Sequence, residues 1–252
     1  MGVGGRASQG DVKTVAATGP LPYHIPESTL RLIRSHDWEA ALPPRAVGWR
    51  WLAGQRVKRA LDVVLAGTLI VVLAPVFLLA AIAVRLSGPG PVLYPWKVLG
   101  LRGRPFVGYK FRTMVDNAEE LKQTLLEHNE MSGPVFKIRN DPRVTAVGRW
   151  LRKFSIDELP QLWSVLKGDM SLVGPRPCSA EEFAGFQPWQ RSKLAVVPGI
   201  TCLWQVSGRS RICDFEEWAR LDLDYIRDWS LALDLAILAR TVPAVLRGEG
   251  AY

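Results

Sequence analysis

Residues 149–177 read RWLRKFSIDELPQLWSVLKGDMSLVGPRP, and this stretch decides how the chain is interpreted. It contains two adjacent carboxylates, Asp157 and Glu158. A second acid and base, Asp169 and Arg176, follow them. The cations that precede the pair are Arg149, Arg152 and Lys153. Paired carboxylates set between cations are suited to binding phosphate groups and a divalent metal ion.

Pro160 indicates where a helix begins, because proline is tolerated only in a first helical turn, where its missing N–H would have no partner. The spacing predicts a helix that starts near Asp157 and ends at Gly168. At such an N-terminus the carboxylates would lie beside free N–H groups that also favour a bound anion. A purely structural capping box from Ser155 to Glu158 is the alternative, and these residues alone leave both interpretations open.

The composition restricts the class of protein. With 252 residues, 48% of them hydrophobic, the chain has room for one ordinary domain with extensions or for two small domains. A net charge of +8 indicates an anionic partner, and nucleic acid, an anionic membrane surface and phosphorylated substrates all satisfy it. The three cysteines form no C-x-x-C pair and the histidines are isolated, which argues against structural zinc and a disulfide framework. This usage fits a reducing compartment.

Residues 1–55 are interpreted as an N-terminal extension. Residues 1–27 are rich in Gly, Ser, Thr and Pro, which predicts a mostly disordered tail without a signal peptide. A short amphipathic helix is predicted from Ser28 to Leu42. Its apolar side would consist of Leu30, Leu32, Ile33 and Trp38.

Val63–Val84 forms a stretch of 22 residues without charge. At 1.5 Å per residue it measures about 33 Å, so a simple transmembrane helix is one interpretation. A re-entrant helix over residues 56–86 is favoured instead, because Pro75 in its middle invites a bend. Cations also flank both ends, which places both ends in the cytoplasm under the positive-inside rule. These cations are Arg45, Arg50, Arg56, Lys58 and Arg59 before the stretch, and Arg85, Lys97, Arg102, Arg104, Lys110 and Arg112 after it.

Two short strands are predicted after the apolar stretch, at Val92–Tyr94 and Pro105–Arg112. In the second strand Lys110 and Arg112 would project from one face. A solvated basic face is the simpler reading, and a phosphate or lipid-headgroup contact is the favoured one. Asp116–Glu130 is predicted to be an exposed helix. Its inward residues would be Ala118, Leu121, Leu125 and Leu126, and Asp141 is predicted to form a local turn or helix cap.

SIDELPQLW at 155–163 and KGDMSLVGPRP at 167–177 resemble the signature of the bacterial sugar transferases, the monotopic polyprenyl-phosphate phosphoglycosyl transferases. KFRTM at 110–114 and VPGIT at 197–201 resemble further elements of that family. The resemblance covers roughly residues 56–252. It implies an α+β, predominantly helical fold. It also implies a monotopic protein of the bacterial inner membrane, with a Pro-kinked re-entrant helix and a small cytoplasmic catalytic domain at 87–252.

The resemblance also implies an activity. A phosphosugar would pass from a nucleotide diphosphate sugar, with uridine as the expected nucleotide, to polyprenyl phosphate, with release of UMP. This is the first membrane step in assembling exopolysaccharide, capsule, O-antigen or glycoprotein glycans. The implied partners are the UDP-sugar, undecaprenyl phosphate and membrane lipids, with no nucleic acid. The identity of the sugar and a homodimer are both left open.

By the same resemblance Asp157 is the nucleophile that becomes an aspartyl-phosphosugar, and Glu158 binds Mg²⁺. Arg152 matches a phosphate-binding arginine of the family. Asp169 and Arg176 are expected to support the active site, with a structural ion pair between them as the alternative.

The chain departs from the family pattern at several positions. Trp96 and Val98 replace an expected polar pair in a segment read as a loop, and Ala74 replaces a serine at the bend. Cys202 stands where glycine is usual, which suggests altered packing unless that position needs a positive φ. These departures motivate a rival reading as a catalytically impaired membrane adaptor. A basic nucleic-acid binder is the weaker rival, because no nucleic-acid motif is present.

Overall fold

A computed structural model describes residues 21–38, 40, 42–43, 49–208 and 212–248. The first helix, α1, spans Glu27–Ser35, with Glu27 in its first turn paired to Arg34 at 3.2 Å in its last. It ends earlier than predicted, because His36 is already extended. The disorder predicted for residues 1–20 lies outside the described residues, as does the flanking Arg45.

The segment before α1 packs onto the folded domain. Ile25 is buried, and the Tyr23 hydroxyl donates a hydrogen bond of 2.7 Å to the Val98 carbonyl. The prediction of a disordered tail is therefore wrong for residues 21–27. The residues named for the apolar side of the helix all pack against a buried core cluster, although Trp38 lies beyond the end of α1; they are Leu30, Leu32, Ile33 and Trp38.

Two helices, α2 at Trp49–Val72 and α3 at Ala74–Leu86, meet at a sharp bend. Pro75 is the second residue of α3, so no N–H is available for the Val71 carbonyl, and a continuous helix is disfavoured. Among the described residues no single helix is long and apolar enough to cross a bilayer, whereas this pair, bent by 62°, meets both conditions together. The predicted bend is confirmed. Exposed apolar side chains on the pair include Val64, Val71, Val72, Leu78, Leu79 and Leu86.

A β-hairpin follows, in which β1 at Leu93–Leu99 pairs antiparallel with β2 at Pro105–Phe111. The register sets Trp96 opposite Gly108 and Leu93 opposite Phe111. Residues 95–99, which the sequence suggested were a loop, are thus part of β1. The strand forms here despite Pro95 because the hairpin has two strands, so each strand is an edge strand.

The chain then forms α4 at Ala118–Thr124, a 3₁₀ turn at Leu126–His128 and α5 at Ala146–Lys153. Leu121 and Leu126 are exposed, and no residue of α4 or of the turn is buried. The predicted exposed helix is confirmed over Ala118–Thr124 only, and the prediction that its leucines face inward is wrong. A second 3₁₀ helix at Ile156–Gln161 precedes α6 at Leu162–Lys167.

Short parallel strands, β3 at Ser171–Val173 and β4 at Gly199–Thr201, lie side by side. Gly174 and Gly199 permit this approach, because a Cβ on Gly199 would lie 2.1 Å from the Gly174 nitrogen. Between them are α7 at Ala180–Ala184, α8 at Pro188–Arg191 and a 3₁₀ turn at Ser192–Ala195. Cys202 after β4 is buried with φ −148°, so its position needs no glycine.

The last elements are α9 at Leu203–Val206, α10 at Phe215–Asp228 and α11 at Leu231–Arg247. The Asp214 side chain caps α10 by accepting a hydrogen bond from the Glu216 N–H. One core cluster surrounds Phe183 and Phe215, and another joins α2, α6, β3, α10 and α11. The fold is α+β and mostly helical, as predicted.

Candidate active site

The paired carboxylates lie in a 3₁₀ helix, not at the start of an α-helix. Ser155 before it has a left-handed backbone, φ 53°, and its side chain caps nothing. Glu158 instead closes a tight turn through its N–H to the Ser155 carbonyl, 3.2 Å. Pro160 falls inside this helix, where i→i+3 bonding tolerates its missing N–H better than an α-helix interior would. Helical structure begins at Ile156, one residue from the predicted start, but its first part is a 3₁₀ helix and not an α-helix. The alternative of a capping box is wrong, and the predicted end at Gly168, φ 91°, is confirmed.

Glu158 is held by two cations from distant parts of the chain. The Lys110 ammonium, from β2, and the Arg176 guanidinium, from the loop after β3, each lie 3.0 Å from Glu158 Oε1. Burial alone would raise the pKa of Glu158, but Arg176 and Lys110 outweigh it and hold that pKa below its usual range. Burial lowers the pKa of Lys110, and the charge of Glu158 opposes that shift. Glu158 is thus an anion fixed between two positive charges.

Asp157 has the opposite electrostatic environment. Burial and the neighbouring charge of Glu158 raise its pKa, and Lys110, Arg152 and Arg176 act against that shift. Two adjacent carboxylates whose pKa values are driven apart are typical of a functional pair. Asp157 is thus the less well stabilised anion of the two.

Arg152 reaches the pair from the last turn of α5. Its Nε donates to Thr113 Oγ1 at 3.0 Å, which ties α5 to the residues after β2. The helix is set by Thr145, whose hydroxyl accepts from the Gly148 N–H at 2.9 Å. Gly148 also packs against the Thr113 backbone so closely that an added Cβ would lie 2.0 Å from its carbonyl oxygen. This packing holds the Arg152 guanidinium on the side of the site where Asp157 lies.

Asp141 forms the predicted local turn. Its Oδ1 accepts the Arg143 N–H at 3.0 Å, and its other oxygen lies 2.7 Å from the Arg143 guanidinium. Both side chains are buried, so this pair fixes the loop that leads into α5.

The structure places two of the predicted site residues outside this cluster. The Arg112 guanidinium donates to the carbonyls of Val84, Gly88 and Pro89, so it secures the exit from α3. Asp169 pairs with Lys167 at 2.8 Å, whereas Arg176 pairs with Glu158. The proposed Asp169–Arg176 ion pair is therefore wrong, and Arg176 is the member that belongs to the carboxylate site.

Sequence reasoning missed two residues of the site. The indole of Trp96 lies beneath Lys110, with the ammonium 3.7 Å from the ring centroid. Gln161 is buried, three residues after Glu158, and its Nε2 has no hydrogen-bond partner among the described residues. Side chains at i and i+3 eclipse in a 3₁₀ helix, so Gln161 is on the same face of this helix as Glu158.

The carboxylates fit a magnesium ion that is shared with a substrate. Mg²⁺ prefers oxygen ligands and is commonly held by one or two carboxylates together with substrate phosphates and water. Glu158 uses only Oε1 for Lys110 and Arg176, and Oε2 accepts no hydrogen bond from the described residues. Across the same residues no group of three His, Cys, Asp or Glu side chains forms a closed metal site. The donor set thus suits a metal held jointly with phosphate oxygens.

Comparison with known proteins agrees with this geometry. The pattern of the family described as "Bacterial sugar transferase" matches residues 53–248. Rhizobium meliloti (strain 1021) "Exopolysaccharide production protein ExoY" is 35% identical over 96% of this chain and all of its own length. Caulobacter vibrioides "UDP-glucose:undecaprenyl-phosphate glucose-1-phosphate transferase" is 44% identical over 77% of the chain and 72% of its own length. Salmonella typhimurium "Undecaprenyl-phosphate galactose phosphotransferase" is 42% identical over 78% of the chain.

The chain belongs to the bacterial sugar transferase family. It spans 42% of the length of the Salmonella relative, whereas it spans the whole of ExoY. Relatives named as undecaprenyl-phosphate sugar phosphotransferases thus share the segment that carries Asp157 and Glu158.

Proposed function

We propose that this protein transfers a phosphosugar from a UDP-sugar to undecaprenyl phosphate, through a covalent intermediate on Asp157. The observation that carries the proposal is the pair Asp157 and Glu158, surrounded by Lys110, Arg152 and Arg176. A carboxylate attacks phosphorus only where cations offset the repulsion between anions, and this cluster supplies three. The names of the relatives agree with that reaction class.

In the first step a carboxylate oxygen of Asp157 bonds to the phosphorus that carries the sugar. The bond from that phosphorus to the bridging oxygen of the diphosphate breaks, and UMP leaves with the oxygen. The product on the protein is an acyl phosphate that bears the sugar. Arg152, on the Asp157 side, neutralises charge on the attacked phosphate, and Arg176 and Lys110 do so beside Glu158.

In the second step a phosphate oxygen of undecaprenyl phosphate attacks the same phosphorus. The bond to Asp157 breaks, the carboxylate is regenerated, and undecaprenyl diphosphate sugar is released. Two phosphoryl transfers on one carboxylate therefore return the protein to its starting state.

Glu158 Oε2, with oxygens of the donor diphosphate, would hold Mg²⁺. When bound, the ion supplies Lewis-acid stabilisation of charge on the diphosphate. Lys110 and Arg176 fix the carboxylate in place for that role.

In this proposal the bent pair of α2 and α3 is the part of the protein that contacts the membrane lipids. Its apolar side chains are exposed over both helices, and the cation Arg85 lies in the last turn of α3. A re-entrant arrangement in the bacterial inner membrane keeps the long prenyl chain in lipid while the site faces the cytoplasm. Arg112 then holds the point where the chain leaves the membrane.

Thiol labelling tests this topology. Single cysteines are introduced at Gln55, in the first part of α2, and at Ser87, directly after α3. Native Cys213, exposed on the domain, reports the cytoplasmic face. A membrane-impermeant maleimide should label all three in inside-out vesicles and none in intact cells. Opposite accessibility of positions 55 and 87 would show a spanning helix and overturn the re-entrant arrangement.

The activity test measures nucleotide release from a panel of UDP-sugars with undecaprenyl phosphate and Mg²⁺. Wild type should release UMP with one or more donors, Asp157→Asn should release none, and the surface control Asp228→Asn should match wild type. Release of UDP would mean ordinary glycosyl transfer and reject the mechanism. No release from any donor would reject the proposed activity.

A further inference from the structure

Trp96 lies on the strand that faces the phosphate-binding cations. In the hairpin it stands opposite Gly108, and a Cβ on Gly108 would lie 3.8 Å from the indole. The indole therefore lies within van der Waals reach of position 108 on β2. Lys110 is two residues further along β2, so it emerges on the same face as Gly108. The indole is packed against the core and is only half-buried.

Two cations lie over this one ring. The Lys110 ammonium is 3.7 Å from the ring centroid, and the Arg176 guanidinium carbon is 5.5 Å from it. Both distances are within the range in which the negative face of an indole attracts a cation. The same two groups donate to Glu158 Oε1. Each cation therefore contacts both the aromatic face and the carboxylate.

Without the ring, two long flexible side chains of like charge would have one carboxylate oxygen to share. Repulsion between Lys110 and Arg176 would favour rotamers that separate them. A fixed aromatic surface removes that freedom, because both cations gain by remaining over it. Val98 is two residues after Trp96 on the same face of β1 and is fully buried. The residue beside the indole on this face is therefore also apolar. The polar pair that the family pattern places at positions 96 and 98 could not form such an apolar aromatic surface.

We propose that Trp96 is a positioning residue that holds Lys110 and Arg176 together for the diphosphate of the donor. The inference rests on the proposed function, which supplies the phosphates that the two cations receive. Trp96 does not touch the reacting atoms in this account. It orders the cations before the donor arrives, so less ordering is needed when the donor binds.

The first experiment measures binding by calorimetry, with the full chain in detergent and with inorganic pyrophosphate and UDP-glucose as probes. Trp96→Leu removes the ring and keeps apolar bulk, and we expect pyrophosphate binding to weaken about tenfold, which corresponds to about 1.4 kcal/mol. Trp96→Phe retains a ring and should lose no more than about threefold. The control Trp189→Leu, on α8 and without a described contact to either cation, should bind as wild type does.

The second experiment is a double-mutant cycle, because a merely structural tryptophan would also weaken binding by loosening the fold. If Trp96 acts through Lys110, Trp96→Leu should lose most of its effect in a Lys110→Met background. Additive effects, equal losses in the Leu and Phe variants, or no pyrophosphate binding by wild type would each overturn the proposal. Pyrophosphate binding that depends on Trp96, together with no UMP release from any UDP-sugar, would reject the proposed function and leave this inference standing.

Discussion

Arg176, like Lys110, contacts both Glu158 and the Trp96 ring. Replacing it by glutamine keeps a polar planar group and removes the charge directed at the donor phosphates. We expect Arg176→Gln to lower kcat/KM for UMP release about 100-fold, the usual cost of removing one preorganised donor from a charged transition state. Lys110 remains beside Glu158, so the protein should stay folded. Arg227→Gln, on an exposed arginine with surface ion pairs, is the control and should stay within about twofold of wild type.

Asp141 offers a test of buried electrostatics away from the carboxylate pair. Burial alone would raise its pKa, but hydrogen bonds and charge from Arg143 lower it. A carboxyl with a lowered folded-state pKa adds stability above its unfolded pKa of about 3.9, and this stability is lost as pH falls through the folded value. Asp141→Asn should therefore cost about 2 kcal/mol of unfolding free energy at pH 7 and much less near pH 3. Urea titrations at the two pH values measure this, and an equal cost at both would contradict it.

Individual site residues were predictable where one motif carries them. Arg152, Asp157 and Glu158 lie within seven residues of one another, and the structure brings Lys110 and Arg176 to Glu158. The chemical roles of these residues stay predictions. The partners of Asp169 and Arg112 could not be predicted, because a charge pattern does not say which carbonyl or side chain tertiary folding places nearby. Trp96 was noticed only as a departure from the family, since its role depends on cross-strand register.

The attachment of α2 to the catalytic domain uses a buried polar network. The Lys58 ammonium lies 2.7 Å from Asp234 Oδ2 on α11 and donates to the Val173 carbonyl at 2.8 Å. Tyr225 and Trp229 donate to the same carboxylate, at 2.7 and 3.2 Å. One turn along α2, Asp62 accepts the Leu172 N–H at 2.9 Å. Hydrogen bonds from Lys58 and Asp62 therefore join α2 to the backbone of β3, the strand that precedes Arg176.

Lys58→Met tests that attachment. The change leaves the Asp234 carboxylate buried without its cation, and breaking one side of a buried pair typically costs about 3 kcal/mol or more. A corresponding fall in unfolding free energy is expected in urea titration in detergent, with a loss of UMP release as β3 loosens. Arg56→Met, which removes an exposed cation from the same helix, should change stability by less than about 0.5 kcal/mol. Equal effects of the two substitutions would show that α2 is held by apolar packing alone.

Elements were predictable where local chemistry determines them. Pro75 marks the bend, Asp214 caps α10 and Gly168 ends α6, because each acts within one turn of its own position. The strand predicted at Val92–Tyr94 continues to Leu99, although the family resemblance suggested a loop after Tyr94. Pairing with β2 overrides the low strand propensity of Pro95. The 3₁₀ helix at 156–161 was read as an α-helix because Pro160 is compatible with either.

The molecule as a whole joins three parts that lie far apart in sequence. The bent helices carry an exposed apolar surface, and the carboxylate site lies at the junction of β2, α5 and the loop after β3. Residues from the segment 21–38 pack against the core cluster around Phe183 and Phe215. The α+β, mostly helical class was predictable from the family resemblance. The docking of the N-terminal segment was not, because Tyr23 and its acceptor Val98 are 75 residues apart and no local pattern links them.

That segment begins before the residues that match the family, so its contribution to stability can be tested separately. Ile25 is buried in the same cluster as Phe183, Phe215 and Leu99, the last residue of β1. Ile25→Ala should lower the unfolding free energy by about 2–4 kcal/mol, as expected for a large-to-small change in a packed core. Because β1 also carries Trp96, the weakened hairpin should bind pyrophosphate less tightly. The control Leu21→Ala, at an exposed position in the same segment, should change neither the unfolding free energy nor pyrophosphate binding. An Ile25→Ala variant as stable as wild type would mean that residues 21–38 lie on the domain without stabilising it.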